Sequence, residues 1–133
     1  MGRGNRRGGR TRGATIPDLE KTVIGIACQT FIDKVLKPRF LPEIRVAPFN
    51  YPVDIRGGFH GRNYRFMQRY RSGFDDNLGW EFDAAFCRLE YVGRDRFDVS
   101  WHRHTGQWFC LYRGRSLAEA LELIERDGHL HPL

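Results

Sequence analysis

Apolar positions change their period twice along this chain, and each change marks an element. From Pro17 onward Leu19, Val23, Ile26, Ala27 and Thr30 recur at helical spacing, with Ile24, Phe31 and Val35 widening the stripe. Pro17 suits a first helical turn, Asp18 and Glu20 suit the positive end of the helix dipole, and Pro38 and Pro42 predict where the helix stops. So broad an apolar face belongs against a sheet. Gly25 weakens the helix by about 1 kcal/mol relative to alanine and predicts a close approach to that sheet.

Period two then takes over. Three prolines between Arg39 and Pro52 block regular structure, and Phe40, Leu41 and Phe49 are expected to seal one end of the core. A hairpin is predicted from 51–56 and 62–71, turning through 57–61. In its second strand Tyr64, Phe66 and Tyr70 point one way, and Arg65, Met67, Arg69 and Arg71 the other. A three-stranded meander follows, running from Trp80 to Arg113 with breaks at 93–95 and 104–106; aromatic and β-branched residues suit its pleated, half-buried surfaces. In the first of these strands Ala85, Cys87, Leu89 and Tyr91 oppose Phe82, Ala84 and Phe86, so both faces read as covered. In the next, Phe97, Val99 and Trp101 share one face and leave Asp98, Ser100 and His102 on the other. The helical period returns after Ser116, where Ser116 and Glu119 have capping-box spacing, Leu117, Ala120, Leu121 and Ile124 form the stripe, and Gly128 suits the C-terminal cap.

The predicted fold is therefore α+β: a five-stranded antiparallel sheet, hairpin plus meander, with an N-terminal and a C-terminal helix. It divides into an Arg/Gly-rich arm over 1–15, expected to be disordered because glycine is costly to order and nothing there buries apolar surface, one domain over 16–128, and a frayed tail over 129–133.

Composition narrows the function classes. At 133 residues and 41% hydrophobic, the chain can build one modest core, and no run is long enough to span a membrane, so a soluble protein is expected. Three cysteines without a C-x-x-C pair favour reduced thiols and a cytoplasmic setting. The net charge of +6 is uneven. Arg3, Arg6, Arg7, Arg10 and Arg12 stand in the arm without an acid, and no acid lies between Asp54 and Asp75.

Candidate chemistry is sparse. His102 and His104, with His129 and His131, have a spacing that zinc uses, but two of the four fall at a turn or in a loose end, and satisfied surface histidines are the plainer reading. Asp98, Ser100 and His102 resemble a triad only in type, because neighbours on one strand face sit about 6.5–7 Å apart. Cys87 and Cys110 read as inert thiols within apolar strands. No catalytic residue, metal or cofactor is assigned. What remains is basic: the five arm arginines and Arg62, Arg65, Arg69 and Arg71 are the candidate nucleic-acid contacts, RNA or DNA. The rival expectation is a protein-interaction or accessory subunit, homodimeric or docked to a partner through an exposed aromatic face.

The runs Phe86–Tyr91, Phe97–Trp101 and Gln107–Tyr112, the acidic helix ending Ile124–Asp127 and the proline-containing entry Leu41–Arg45 together resemble a family of small uncharacterised bacterial domains, a domain of unknown function of the 3024 type. The resemblance spans about residues 19–127. Gln68–Arg71 departs from it, standing where an acidic-then-basic pair is expected, and the aromatic close is missing. The resemblance implies the fold and carries over no activity and no site residue.

Overall fold

A computed structural model describes residues 15–132. The N-terminal helix α1 (Asp18–Phe31) continues through a π-helical turn, Ile32–Leu36, into the short helix α2 (Lys37–Phe40). Five strands follow: β1 (Tyr51–His60), β2 (Asn63–Arg71), β3 (Glu81–Gly93), β4 (Arg96–His102) and β5 (Trp108–Arg115). They form one antiparallel sheet in the order β1-β2-β3-β4-β5, and α3 (Leu117–Arg126) closes the chain before a 3₁₀ turn, Gly128–Leu130. The predicted α+β fold is observed.

One face of the sheet takes the helices. Phe66, Cys87, Leu89, Tyr91, Phe97 and Val99 are buried there against Ile24, Cys28, Phe31, Ile32 and Leu36 from the N-terminal helical segment and Ala120 and Ile124 from α3. Regular α-helical winding would let position 36 drift off the face that Ile24, Cys28 and Phe31 occupy; the wider π turn brings Leu36 back onto it. Burial pushes the Cys28 thiol up to about 12, so it behaves as a small apolar side chain.

The predicted inward stripe of α1 is corrected. Leu19, Val23 and Ile26 are 78%, 54% and 63% exposed, while Ile24, Cys28 and Phe31 are buried. The helix is apolar on two opposite faces. The bulkier set, extended by Ile32 and Leu36, takes the core.

Strand β3 also departs from its expected reading. Phe66 pairs with Cys87 and Met67 with Ala85, so Phe86 is an inserted residue, a β-bulge. The insertion flips the alternation. Phe82 and Ala84 opposite Tyr70 and Gln68, and Cys87 and Leu89 opposite Phe66 and Tyr64, consequently all lie on the helix side. Apart from Ala85, which lies opposite Met67 on the other face, both apolar sets serve the helix side, and the other face is left mainly to polar side chains.

Strand β1 runs on through Gly57 and Gly58, where a turn was expected, and the reversal occurs at Gly61 and Arg62. At Gly57 a Cβ would fall 2.6 Å from Tyr64 Cε1 and 2.7 Å from Ile32 Cδ1, so the missing side chain lets Tyr64 and the helix settle on the strand. Phe40 and Leu41 pack against the core as expected, but Phe49 is 55% exposed.

At the other end Ser116 and Glu119 form the capping box, with Glu119 N–H donating to Ser116 Oγ at 3.1 Å and Ser116 N–H to Glu119 Oε1 at 2.9 Å. The C-cap is Asp127, one residue before the expected glycine; its carboxylate accepts from His129 N–H at 3.0 Å and from Tyr112 O–H at 2.6 Å. The bond to His129 anchors the start of the segment expected to fray over 129–133, and Leu130 is fully buried; residue 133 lies outside the described residues. Of the arm predicted over 1–15, residues 1–14 lie outside the described residues.

Candidate nucleic-acid interface on the open sheet face

The sheet face turned away from the helices carries the polar side chains. Register places Arg69 between Asp54 and Asp83, Arg71 opposite Glu81, and Arg65 opposite Arg88. The four described candidate arginines therefore meet different fates. Arg69 donates to Glu81 at 2.9 Å and to both Asp83 oxygens at 3.1 Å, and Arg71 donates to Glu81 at 2.8 Å. These bonds raise both guanidiniums above their ordinary value and hold the Glu81 carboxyl below its own. Arg62 pairs with Glu90 at 3.4 Å. The Arg69 and Arg71 pairs leave little free charge at their end of the face, and the Arg62–Glu90 pair lies at the opposite end, beyond Arg65 and Arg88.

Arg65 is the exception. Its cross-strand neighbour is another cation, Arg88, and neither has a carboxylate within ion-pair distance among the described residues. The Nε atoms of both are buried without a hydrogen-bond partner. Over them lies Trp108 from the edge strand, its ring centroid 4.4 Å from the Arg88 guanidinium carbon and 5.7 Å from that of Arg65, with the His102 ring 4.6 Å away on the neighbouring strand. Burial lowers the pKa of the Arg88 guanidinium and the adjacent positive charge of Arg65 lowers it further, while Glu90 works the other way.

Like charges directly opposite in a sheet are destabilising, by the same few tenths to about 1 kcal/mol that opposite pairs contribute. Cation–π stacking on Trp108 returns about 0.5–1 kcal/mol per contact. The repulsion and the two buried Nε atoms left without partners offset these contacts, so the cluster adds little to stability. It holds two half-buried cations side by side with unsatisfied Nε atoms, an arrangement that an anion would complete.

Arg88 and Trp108 are absent from the residues assigned by sequence. The alternation of β2 puts its own aromatics opposite its arginines, and that holds. The aromatic partner comes instead from β5, which only the register reveals. Ser100 sits opposite both Arg88 and Cys110, so Trp108, two residues before Cys110, shares the arginine face. The arm candidates Arg3, Arg6, Arg7, Arg10 and Arg12 fall outside the described residues.

The other candidates are accounted for. Asp98 is buried and accepts from Gly114 N–H at 3.0 Å and Arg113 at 3.4 Å. His129 Nδ1 lies 3.0 Å from Asp127, and His131 Nε2 lies 2.8 Å from the Glu125 carbonyl. Among the described residues no group of three or more His, Cys, Asp or Glu side chains is placed to hold a metal ion. No described helix is long and apolar enough to cross a membrane.

No curated protein and no solved structure matches this chain. The family model for a domain of unknown function, DUF3024, matches residues 16–131, from the entry to α1 through the 3₁₀ turn that follows α3. With nearly the whole described fold covered, this chain belongs to the DUF3024 family.

Proposed function

We propose that this protein is a binding module whose open sheet face takes a polyanion, single-stranded nucleic acid, with the N-terminal arginine arm adding contacts that do not depend on sequence. The observation that carries the reading is the Arg65–Arg88 pair: two adjacent cations, neither in an ion pair among the described residues, their Nε atoms unsatisfied, under the Trp108 ring. A sheet face with an aromatic ring beside cations suits a strand whose phosphates are exposed and whose bases are unpaired. Duplex is less suited, since no helix among the described residues packs on this face to enter a groove. Three free thiols, two of them buried, favour a reducing cytoplasmic setting.

The arm and the sheet face are separable by salt. Each phosphate contact to a single strand adds about 0.7 to the slope of log affinity against log salt. Deleting residues 1–15, which removes five arginines, should flatten that slope by up to about 3.5 while leaving measurable binding at low salt. A fluorescence-anisotropy titration of a labelled oligonucleotide over a salt series measures both. A slope unchanged by the deletion removes the arm from the reading. Loss of all binding with the arm leaves the sheet face without a role.

A further inference from the structure

The outward face of α1 is a second feature, independent of the sheet. Leu19, Val23 and Ile26 stand at i, i+4 and i+7 and are mostly exposed. Thr30 and Lys34 are exposed in turn as the helical segment continues. Beside the N-terminal half of this stripe runs a groove of about 610 Å³, lined in part by Tyr91, Phe97 and Leu117, which extends the apolar surface. An apolar helical stripe of this kind marks a contact surface when it is continuous and rimmed by polar groups.

Charge says what covers it. The exposed Asp18 lies at the start of the helical segment and the exposed Lys34 near its end, and Ile26 is equidistant from both in sequence. Neither has an ion-pair partner among the described residues. Two copies of the helix laid antiparallel across a two-fold axis at Ile26 bring each Asp18 level with the other copy's Lys34. The same arrangement opposes the helix dipoles favourably and stacks apolar residues along the seam. An anionic membrane is disfavoured, because Asp18, Glu20 and Asp33 flank the stripe along with Lys34.

We infer that the outward face of α1 is a self-association surface, on which a second copy of this chain packs its own α1 antiparallel about Ile26. The helix is about 21 Å long, and a contact built on it falls short of the roughly 800 Å² per partner of a standard stable interface. The dimer is accordingly weak, half-formed on the order of 10–100 µM.

Sedimentation equilibrium of the full chain, over concentrations spanning that range, tests this. The average mass should climb from 15.6 kDa toward twice that value. Ile26→Asp, at an exposed position, should hold the mass at the monomer value with an unchanged melting temperature. Asp18→Lys should weaken association at least several-fold, and adding Lys34→Asp should restore it. A wild-type mass fixed at the monomer value throughout overturns the inference, whether or not the stripe binds some other partner. A dimer that persists in folded Ile26→Asp overturns it equally.

Discussion

Replacing Arg65 and Arg88 together with alanine should lower the affinity for a single-stranded oligonucleotide by about 10–100-fold near 0.1 M salt, equivalent to about 1.4–2.8 kcal/mol. Two lost phosphate contacts should also reduce the salt slope by about 1.4. The melting temperature should barely move, because cross-strand repulsion and cation–π stacking, each on the order of 1 kcal/mol or less, are removed together. That combination separates a binding site from a structural one. Arg69→Ala and Arg71→Ala make the informative controls: their charges are already neutralised by Glu81 and Asp83, so affinity should change by less than about threefold. Retained binding in the Arg65, Arg88 double variant, measured by the same anisotropy titration, contradicts the assignment.

The largest effect on stability is expected at Phe66. Its side chain is fully buried at the centre of the helix face, edge-on to Phe31 at 6.3 Å and to Tyr64 at 5.2 Å, and 6.4 Å from Phe86 at the bulge. Phe66→Ala removes these contacts and leaves a cavity between sheet and helix, costing about 3–5 kcal/mol. For a domain of this size each kcal/mol shifts the melting temperature by about 3–6 °C, so a fall of roughly 10–25 °C is expected by calorimetry. Phe82→Ala, at a position 43% exposed on the same face, should cost far less. Equal losses at the two sites are incompatible with a core centred on Phe66.

Much of this architecture was legible in the residues. The period of β2, the turn residues around Gly93 and Gly106, and the Ser116–Glu119 box depend on local chemistry, and local chemistry is written in sequence. Features that depend on insertions were not. The bulge at Phe86 cannot be distinguished, from alternation alone, from a strand covered on both faces; only pairing with β2 shows which residue is extra. The expected inward stripe of α1 failed for a related reason. Two apolar faces of one helix compete for the sheet, and the winner is decided by the π turn that keeps Leu36 with Phe31 and Ile32.

The site divides along the same line. That the arginines of β2 share a face follows from period two, but which of them stay free depends on their neighbours across the sheet. Arg69 and Arg71 meet Asp83 and Glu81 because the bulge sets the register at that end of β3, whereas Arg65, beyond it, meets Arg88. Trp108 reaches the arginines from two strands away. A positive segment in sequence thus becomes one end of ion pairs and one bare pair of cations.

The most direct test is a nuclear magnetic resonance titration of isotope-labelled full-length protein with a short single-stranded oligonucleotide at low salt. Binding to the open face predicts that the Trp108 indole N–H and the Arg65 and Arg88 side-chain signals shift first and most, with Cys110 and His102 following. Shifts confined to the arm or to α1, with the Trp108 indole unmoved at saturation, would contradict it.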